Sequence, residues 1–162
     1  MANVVICIGD IAASNNSGDQ IRTHALGSCV AIIMMDIKTR TVAMAHVALP
    51  ESSIAPAAAR EKPGKFADTA IGALVALMQK VGYEGVGKRL IVKLVGGAQV
   101  VDTNGVFNIG KRNILAIKKC LWQRGMGPVA EELGGNISRT VVVDVDKGKV
   151  IITSPHMEDR EI

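Results

Sequence analysis

Two neighbouring apolar runs place the strongest constraint on how this chain can fold. The first run, Val30–Met35, is apolar at odd and even positions alike, and the second extends from Thr41 to Ala48. A strand that is apolar at both parities is typical of burial on both faces. The polar segment 36–40 lies between the runs and is turn-like, so we expect the two runs to pair as an antiparallel hairpin.

A thiol and an imidazole belong to this hairpin. Cys29 lies between a Gly27-Ser28 turn and the first run, and His46 lies inside the second run. These side chains are the parts of a cysteine nucleophile with its base. A neighbouring imidazolium lowers the pKa of a thiol substantially from the value of about 8.5 for free cysteine. The backbone N–H of Cys29, at the turn, can also face a developing oxyanion.

The hairpin register decides whether the two side chains meet. Directly opposed residues of antiparallel strands point to the same face, and a two- or four-residue connection gives their numbers an odd sum. With residues 37–38 as the turn, Cys29 opposes His46. With residues 37–40 as the loop, Cys29 opposes Ala48, and His46 is its diagonal neighbour at about 7–8 Å along the backbone. A three-residue loop would put the pair on opposite faces unless a bulge restored the parity.

Purely structural interpretations compete with the catalytic one. Free cysteine is among the most buried residue types, so Cys29 alone favours a structural core position, and only the Gly27-Ser28 turn and the placement of His46 make the catalytic interpretation equally favoured. A histidine on an apolar strand face is more often a core residue than a catalytic one. A catalytic His46 needs a third group that orients its ring. The candidates by chain proximity are Thr23, His24, Asp10 and Asp19.

The composition is that of one aliphatic domain. A chain of 162 residues is most simply one domain, and with 48% hydrophobic but only 2% aromatic residues its core must be aliphatic. The net charge of +4 is mild and the basic residues are dispersed. Together with the scarcity of aromatic residues, this argues against nucleic-acid binding. A partner with an acidic surface is compatible with the charge.

The cysteines and the first apolar run bear on the compartment. Cys7, Cys29 and Cys120 are odd in number and far apart, so neither a disulfide framework nor a zinc knuckle is indicated. Nothing in the spacing recommends a zinc site built from Cys29, His46 and an aspartate. The run Val4–Ile8 is too short for a signal peptide or a membrane span. We therefore expect a cytoplasmic protein without membrane insertion.

Periodicity predicts the remaining elements. Apolar residues at the spacing of one buried helix face predict a helix over Ala67–Val81, ended by Gly82. Residues 13–19 are predicted as a polar loop and 50–65 as a long irregular stretch with one helical turn. The chain from about Ser154 is predicted to fray. The other predicted elements are strands over Val4–Ile8 and Leu90–Val95, a helix over Arg112–Arg124, and a hairpin of Thr140–Asp144 with Val150–Thr153.

Two further motifs have a functional and a structural interpretation. Gly96-Gly97-Ala98 follows a strand like a phosphate-binding turn, but it lacks the third glycine and the following lysine of such motifs, which favours a tight turn. The segment Asn108–Asn113 could bind an anion or a substrate, although a helix N-terminus is favoured.

These motifs together resemble the CheD family, the chemoreceptor glutamine deamidases of bacterial and archaeal chemotaxis. The resemblance covers the chain to about Thr153, and several motifs occur in the family's order. They are Ala25-Leu26-Gly27-Ser28-Cys29-Val30-Ala31, Met44-Ala45-His46-Val47-Ala48-Leu49-Pro50, Lys62-Pro63-Gly64-Lys65-Phe66-Ala67-Asp68-Thr69-Ala70, Gly96-Gly97-Ala98, Asn108-Ile109-Gly110-Lys111-Arg112-Asn113, and Gly134-Gly135-Asn136 with Arg139.

The resemblance implies a fold and an activity. The fold would be a single α/β (α+β) domain over residues 1–162, with mixed β-sheets packed as a sandwich, helices outside, and residues 154–162 as a tail. The activity would be hydrolysis of glutamine side chains on receptor helices to glutamate and ammonia, through a thioester and without cofactor or metal. By motif position the catalytic set falls on Cys29, His46 and Thr23. The turn residues Gly27 and Ser28 would support the oxyanion.

The resemblance also implies partners. These are the cytoplasmic helices of chemoreceptors as substrate and a CheC-type phosphatase, while the chain itself is expected to be a monomer. Three positions depart from the family's usual pattern without touching the proposed catalytic set, and they concern receptor preference and partner fit. They are Phe66 in place of a tyrosine, Ser138 in place of a glycine, and the pair His24-Ala25.

Two other functions remain open at this point. A binding module that docks the phosphatase or receptor helices, with little or no turnover, would use the same surface. A thiol redox protein has weaker support, since no resolving cysteine lies near Cys29 in sequence.

Overall fold

Two mixed β-sheets form the body of the protein in a computed structural model that describes residues 1–99 and 107–162. The sheets run in the orders β1-β3-β8-β9-β10 and β2-β5-β4-β6-β7. Within the described residues the strands are β1 (Asn3–Ile6), β2 (Ile11–Ser14), β3 (Gln20–Leu26), β4 (Val30–Asp36), β5 (Thr41–Val47), β6 (Ile91–Gly96), β7 (Pro128–Leu133), β8 (Arg139–Asp144), β9 (Val150–Thr153) and β10 (Arg160–Glu161). The α-helices are α1 (Pro56–Glu61), α2 (Ala67–Val81) and α3 (Ile109–Gln123). The predicted α+β class, with packed mixed sheets and outer helices, is confirmed.

Alternate residues of β4 divide the interior into two cores. Val30, Ile32 and Met34 pack towards α2 and α3, in a cluster that includes Leu74 of α2. Ala31, Ile33 and Met35 pack in a second cluster, against residues of the other sheet. Both faces of β4 are therefore buried, as the apolar run predicts.

The register of β4 and β5 confirms the even-length connection. Asp36 pairs with Thr41 and Val30 pairs with Val47, so residues 37–40 form a four-residue loop. One step beyond the last pair, Cys29 stands opposite Ala48. Cys29 and His46 consequently belong to the same face of the hairpin, the one that packs against the other sheet.

Helix α2 has the predicted bounds. Its buried face includes Ile71, Leu74 and Met78, and Gly82 ends it with a φ of 129°, a conformation that favours glycine. Helix α3 begins at Ile109, three residues before the predicted start, after Asn108 in the left-handed conformation with a φ of 50°.

Several elements differ from the sequence prediction. Strands β2, β3 and β7 were not predicted, and β1 ends at Ile6 rather than at Ile8. The stretch 50–65 contains α1 and two 3₁₀ turns, Ser52–Ile54 and Pro63–Lys65. The chain end does not fray after Ser154, because β10 pairs with β9 and Arg160 binds Glu132 of β7. No helix within the described residues is both long enough and apolar enough to cross a bilayer.

Candidate active site

A small cavity of about 250 Å³ brings two of the predicted site residues together. Cys29 and His46 both line it, and residues from the end of β1 and from β3 complete its wall. The lining residues are Val5, Ile6, Cys7, Ile8, His24, Ala25, Cys29 and His46. The cavity lies where the two sheets meet, so each sheet contributes part of its surface.

The backbone of His46 is anchored on its outer side. Its N–H donates to the carbonyl oxygen of Asp10 at 3.2 Å, and its carbonyl oxygen accepts from the N–H of Gly9 at 2.9 Å. The residue is only 3% exposed. The short link between β1 and β2 therefore fixes the strand position from which the imidazole projects.

Thr23 of β3 lies against the imidazole. Its Oγ1 is 2.7 Å from Nδ1 of His46 and 2.9 Å from the carbonyl oxygen of Ile6. The hydroxyl has one proton, and the carbonyl oxygen can only accept it. When that proton goes to Ile6, Oγ1 accepts from Nδ1–H, and both contacts are hydrogen bonds. The tautomer assigned by this count has its proton on Nδ1 and a lone pair on Nε2.

The other ring nitrogen has no protein partner. Nε2 of His46 is buried and makes no hydrogen bond within the described residues. A buried polar atom without a partner costs free energy, so its retention at a cavity calls for an explanation. A lone pair on Nε2, at a cavity that Cys29 also lines, is of the kind that can accept a thiol proton.

Burial shifts the pKa values of both His46 and Cys29. Burial lowers the pKa of His46 to about 4, against a smaller opposing effect of the Asp10 carboxylate. Burial also raises the pKa of the Cys29 thiol. Both shifts favour the uncharged forms of the thiol and the imidazole, because burial disfavours charge.

The turn before β4 is held through its carbonyl groups. The carbonyl oxygen of Gly27 accepts from the N–H of Ala98 at 2.8 Å, and that of Cys29 accepts from the N–H of Gly97 at 2.9 Å. The carbonyl oxygen of Ser28 accepts from Nδ2 of Asn113 at 3.0 Å. Gly96-Gly97-Ala98 thus lies at the end of β6 behind the Cys29 loop, and two of its backbone N–H groups hold that loop.

Gly96 is required at this point for two reasons. Its φ of 123° is disfavoured for residues with a side chain. A Cβ atom there would also collide with the carbonyl oxygen of Cys29. The close approach of the two turns depends on glycine at this position.

Asn113 is a site residue that sequence reasoning missed. It was treated as part of a helix N-terminus, but it is fully buried and its Nδ2 donates to both Ser28 and Ala48. A signal was present in the sequence. Asn113 precedes the inward residues Ile117 and Leu121 at four-residue intervals, so it is a polar side chain on the buried face of α3.

The remaining candidates for orienting the ring are placed differently. Asp10 accepts from the N–H of Cys7 and pairs with Lys62 at 3.0 Å. These two contacts, in that order, lower the pKa of Asp10, and its carboxylate acts on the His46 imidazole through its charge. Asp19 binds Ser14 instead. His24 is exposed at the cavity wall.

The described part of the chain also bears on metal ligation. No group of three or more His, Cys, Asp or Glu side chains is arranged there to hold an ion.

Comparison with known proteins adds a family. The family model described as CheD chemotactic sensory transduction matches residues 48–154, a range that begins after Thr23, Cys29 and His46. Relatives align with nearly the whole chain. A probable chemoreceptor glutamine deamidase CheD of Syntrophotalea carbinolica is 46% identical over 155 residues, which are 96% of each chain.

Two further relatives come from distant organisms. The chemoreceptor glutamine deamidase CheD of Thermotoga maritima is 43% identical over 148 residues, covering 91% of this chain and 89% of the relative. A probable chemoreceptor glutamine deamidase CheD of the archaeon Methanococcus maripaludis is 40% identical over 146 residues, or 90% of each chain.

Proposed function

The chain belongs to the CheD family, and on this basis we propose that it hydrolyses glutamine side-chain amides of chemoreceptors to glutamate and ammonia, with Cys29 as nucleophile. The names of the relatives support the reaction and the substrate. The observation that carries the residue assignment is the contact of Thr23 with Nδ1 of His46, at a cavity that Cys29 also lines.

The first half-reaction forms a thioester. Sγ of Cys29 attacks the amide carbon while its proton passes to Nε2 of His46. The N–H of Cys29 donates to the oxygen that becomes negative. The imidazolium then gives its Nε2 proton to the amide nitrogen as the C–N bond breaks, and ammonia leaves.

The second half-reaction releases the product. A water molecule loses a proton to Nε2 and attacks the thioester carbon, and the C–S bond breaks. The proton returns to the sulfur of Cys29 and glutamate is freed. Thr23 accepts from Nδ1–H throughout both steps, so His46 changes its protonation only at Nε2.

The low pKa of His46 suits this sequence of steps. An imidazolium with a pKa of about 4 is a strong acid towards a leaving amine, which favours amide cleavage. The neutral thiol costs some reactivity, since proton transfer must be part of the attack. Asp10 stabilises the transient imidazolium by its charge.

The proposal extends to partners. Exposed apolar side chains at the cavity, Val5 and Ile8, offer a surface for a receptor helix. We propose that a CheC-type phosphatase binds the same face, and that the protein acts as a monomer in the cytoplasm.

A binding module is the second candidate, and one observation favours it. Burial raises the pKa of Cys29, and a protonated thiol is a poor nucleophile. Such a module would bind receptor helices through Val5 and Ile8 with little turnover.

The deciding experiment is ammonia release from a receptor cytoplasmic fragment that contains glutamine. Wild type should release ammonia, Cys29→Ala should not, and mass spectrometry should locate the new glutamate. Cys120→Ala is a matched control, because this half-buried cysteine lies on α3 outside the cavity. Equal release by wild type and Cys29→Ala would refute the enzyme, and binding without release would support the module.

Hydroxylamine tests the intermediate separately. A thioester on Cys29 would be diverted to a glutamyl hydroxamate, in amounts that rise with hydroxylamine concentration. Absence of hydroxamate during active turnover would contradict a thioester route.

A further inference from the structure

We propose that Asn113 positions the oxyanion donor of the site from α3, an inference that rests on the proposed function. Its side-chain amide has two N–H groups and uses both on backbone carbonyls. One donates to Ser28 at 3.0 Å and the other to Ala48 at 3.0 Å. Asn113 is fully buried, so water does not compete for these bonds.

The bond to Ser28 fixes the direction of the Cys29 N–H. The carbonyl of Ser28 and the N–H of Cys29 belong to one peptide unit. That unit is trans, since the described residues contain no cis peptide bond, and its C=O and N–H point in opposite directions. When Asn113 holds the carbonyl towards α3, it turns the N–H of Cys29 away from α3.

The Cys29 N–H is free to serve a substrate. Within residues 1–99 and 107–162 it donates no hydrogen bond, whereas the carbonyl groups of residues 27, 28 and 29 are all bound from behind. An unpaired donor fixed beside a nucleophile has the geometry of an oxyanion donor.

The bond to Ala48 links this peptide to the strand of His46. The β4–β5 pairing stops at Val30 and Val47, and Asn113 bridges Ser28 and Ala48 next to that end. Ala48 follows His46 by two residues. The side-chain amide of Asn113 therefore binds both the loop that carries Cys29 and the end of the strand that carries His46. Asn113 has no proton left for the substrate, so it acts as a positioning residue.

The test compares Asn113→Leu with wild type. Leucine is similar in shape to asparagine but has no hydrogen-bond donor. The Ser28 carbonyl therefore loses its bond to residue 113, while the side-chain volume in the core is kept. Loss of one oxyanion donor lowers kcat by about 100-fold, and we expect a loss of that order with KM unchanged. Ile117→Val is the matched control on the same buried face of α3, and it should retain wild-type kcat.

A second readout separates positioning from general damage. Alkylation of Cys29 by iodoacetamide forms no oxyanion, so its rate, followed on the Cys29 peptide by mass spectrometry, should be unchanged in Asn113→Leu. Cys120 lies on α3 itself, and its alkylation reports loosening of the helix. Loss of kcat together with altered alkylation of Cys29 or Cys120 would overturn the inference, as would an unchanged kcat.

A third readout does not need turnover. A peptide with an aldehyde in place of the glutamine carboxamide forms a hemithioacetal: the Cys29 sulfur bonds to the aldehyde carbon, and the thiol proton moves to its oxygen. Absence of ammonia release by wild type would refute the proposed function but not the inference about Asn113. In that case too, Asn113→Leu should lower the affinity for the aldehyde. Equal affinity, or no adduct with either protein, would overturn the inference. If the leucine variant does not fold, Asn113→Ser, with one donor, should show a smaller loss in the same readouts.

Discussion

Thr23 joins His46 to Ile6 through a single hydroxyl group. Its Oγ1 lies 2.7 Å from Nδ1 of the histidine and 2.9 Å from the isoleucine carbonyl oxygen. Because the hydroxyl has only one proton, the two contacts together select the imidazole tautomer. The proposed base is thereby oriented by a neutral residue, whereas many triads use a carboxylate.

Replacing Thr23 by valine should therefore impair catalysis. Valine keeps the shape but removes the acceptor for Nδ1–H, so the ring loses its fixed tautomer and we expect kcat to fall by about 10²-fold or more. Stability should fall by about 1–3 kcal/mol, because two buried polar groups lose their partner. Nitrogen NMR of the imidazole gives the tautomer, and ammonia release gives kcat. Thr23→Ser should retain most activity; loss in both variants would point to the methyl group instead.

The pH dependence of stability should report His46. Its pKa is lowered to about 4 in the folded state, below the unfolded value of about 6.5. The unfolded chain therefore binds the proton first as pH falls, so this contribution to stability is present above 6.5 and is lost towards 4. Between pH 7 and pH 5 the loss is about 2 kcal/mol.

Urea unfolding of wild type and His46→Gln measures this difference. Between pH 7 and pH 5 the free energy of unfolding should fall more for wild type than for His46→Gln. If both lose stability equally between pH 7 and pH 5, the histidine is not buried in its neutral form.

Gly96→Ala should damage both stability and catalysis. The new Cβ would meet the carbonyl oxygen of Cys29 and push the nucleophile loop out of place, and a displacement of that kind costs about 10²-fold in rate. Gly125→Ala is the control that separates the cost of a positive φ from the cost of a collision. Gly125 has a φ of 73°, and a new Cβ there would have no atom within 4 Å. It should lose only about 1–2 kcal/mol and no kcat. Similar kcat values for both variants would refute the close-approach argument.

Arg160→Ala should destabilise the protein although it lies near the chain end. Arg160 makes two bonds to the carboxylate of Glu132, and this contact is the largest cause of the lowered pKa of Glu132. Removing a charged, partly buried partner costs about 2 kcal/mol. Lys149→Ala is the control, since its 3.9 Å contact with Glu161 is exposed and should contribute little. Thermal unfolding of both variants checks this, and equal Tm values would mean that the end strand contributes no stability.

The elements predicted well from the sequence are those with a strong local signal. The bounds of α2 follow from its apolar spacing and from Gly82. The β4–β5 pairing follows from two apolar runs and a short polar segment, and parity alone then puts Cys29 and His46 on one face. In each case the deciding interactions are close in sequence.

The elements that were missed depend on distant partners. β3 was not predicted because its inward residues Ile21 and Thr23 alternate with the outward Arg22 and His24, and no apolar run results. The family resemblance indicated Thr23 as the residue that orients the imidazole of His46. Proximity in the chain alone left four candidates for that role. The contacts of Asn113 join helix α3 to two strand ends, and no sequence spacing encodes them.

The contact between Thr23 and His46 has one more consequence, because the two residues belong to different sheets. The bond exists only while the two layers keep one lateral alignment, and a slip of one residue along a strand, about 3.3 Å, would break it. The hydrogen bond of the imidazole therefore depends on the relative position of the two sheets. A partner that shifted one sheet relative to the other would break the hydrogen bond between Thr23 and His46. It would thereby disable the proposed base without contacting the cavity.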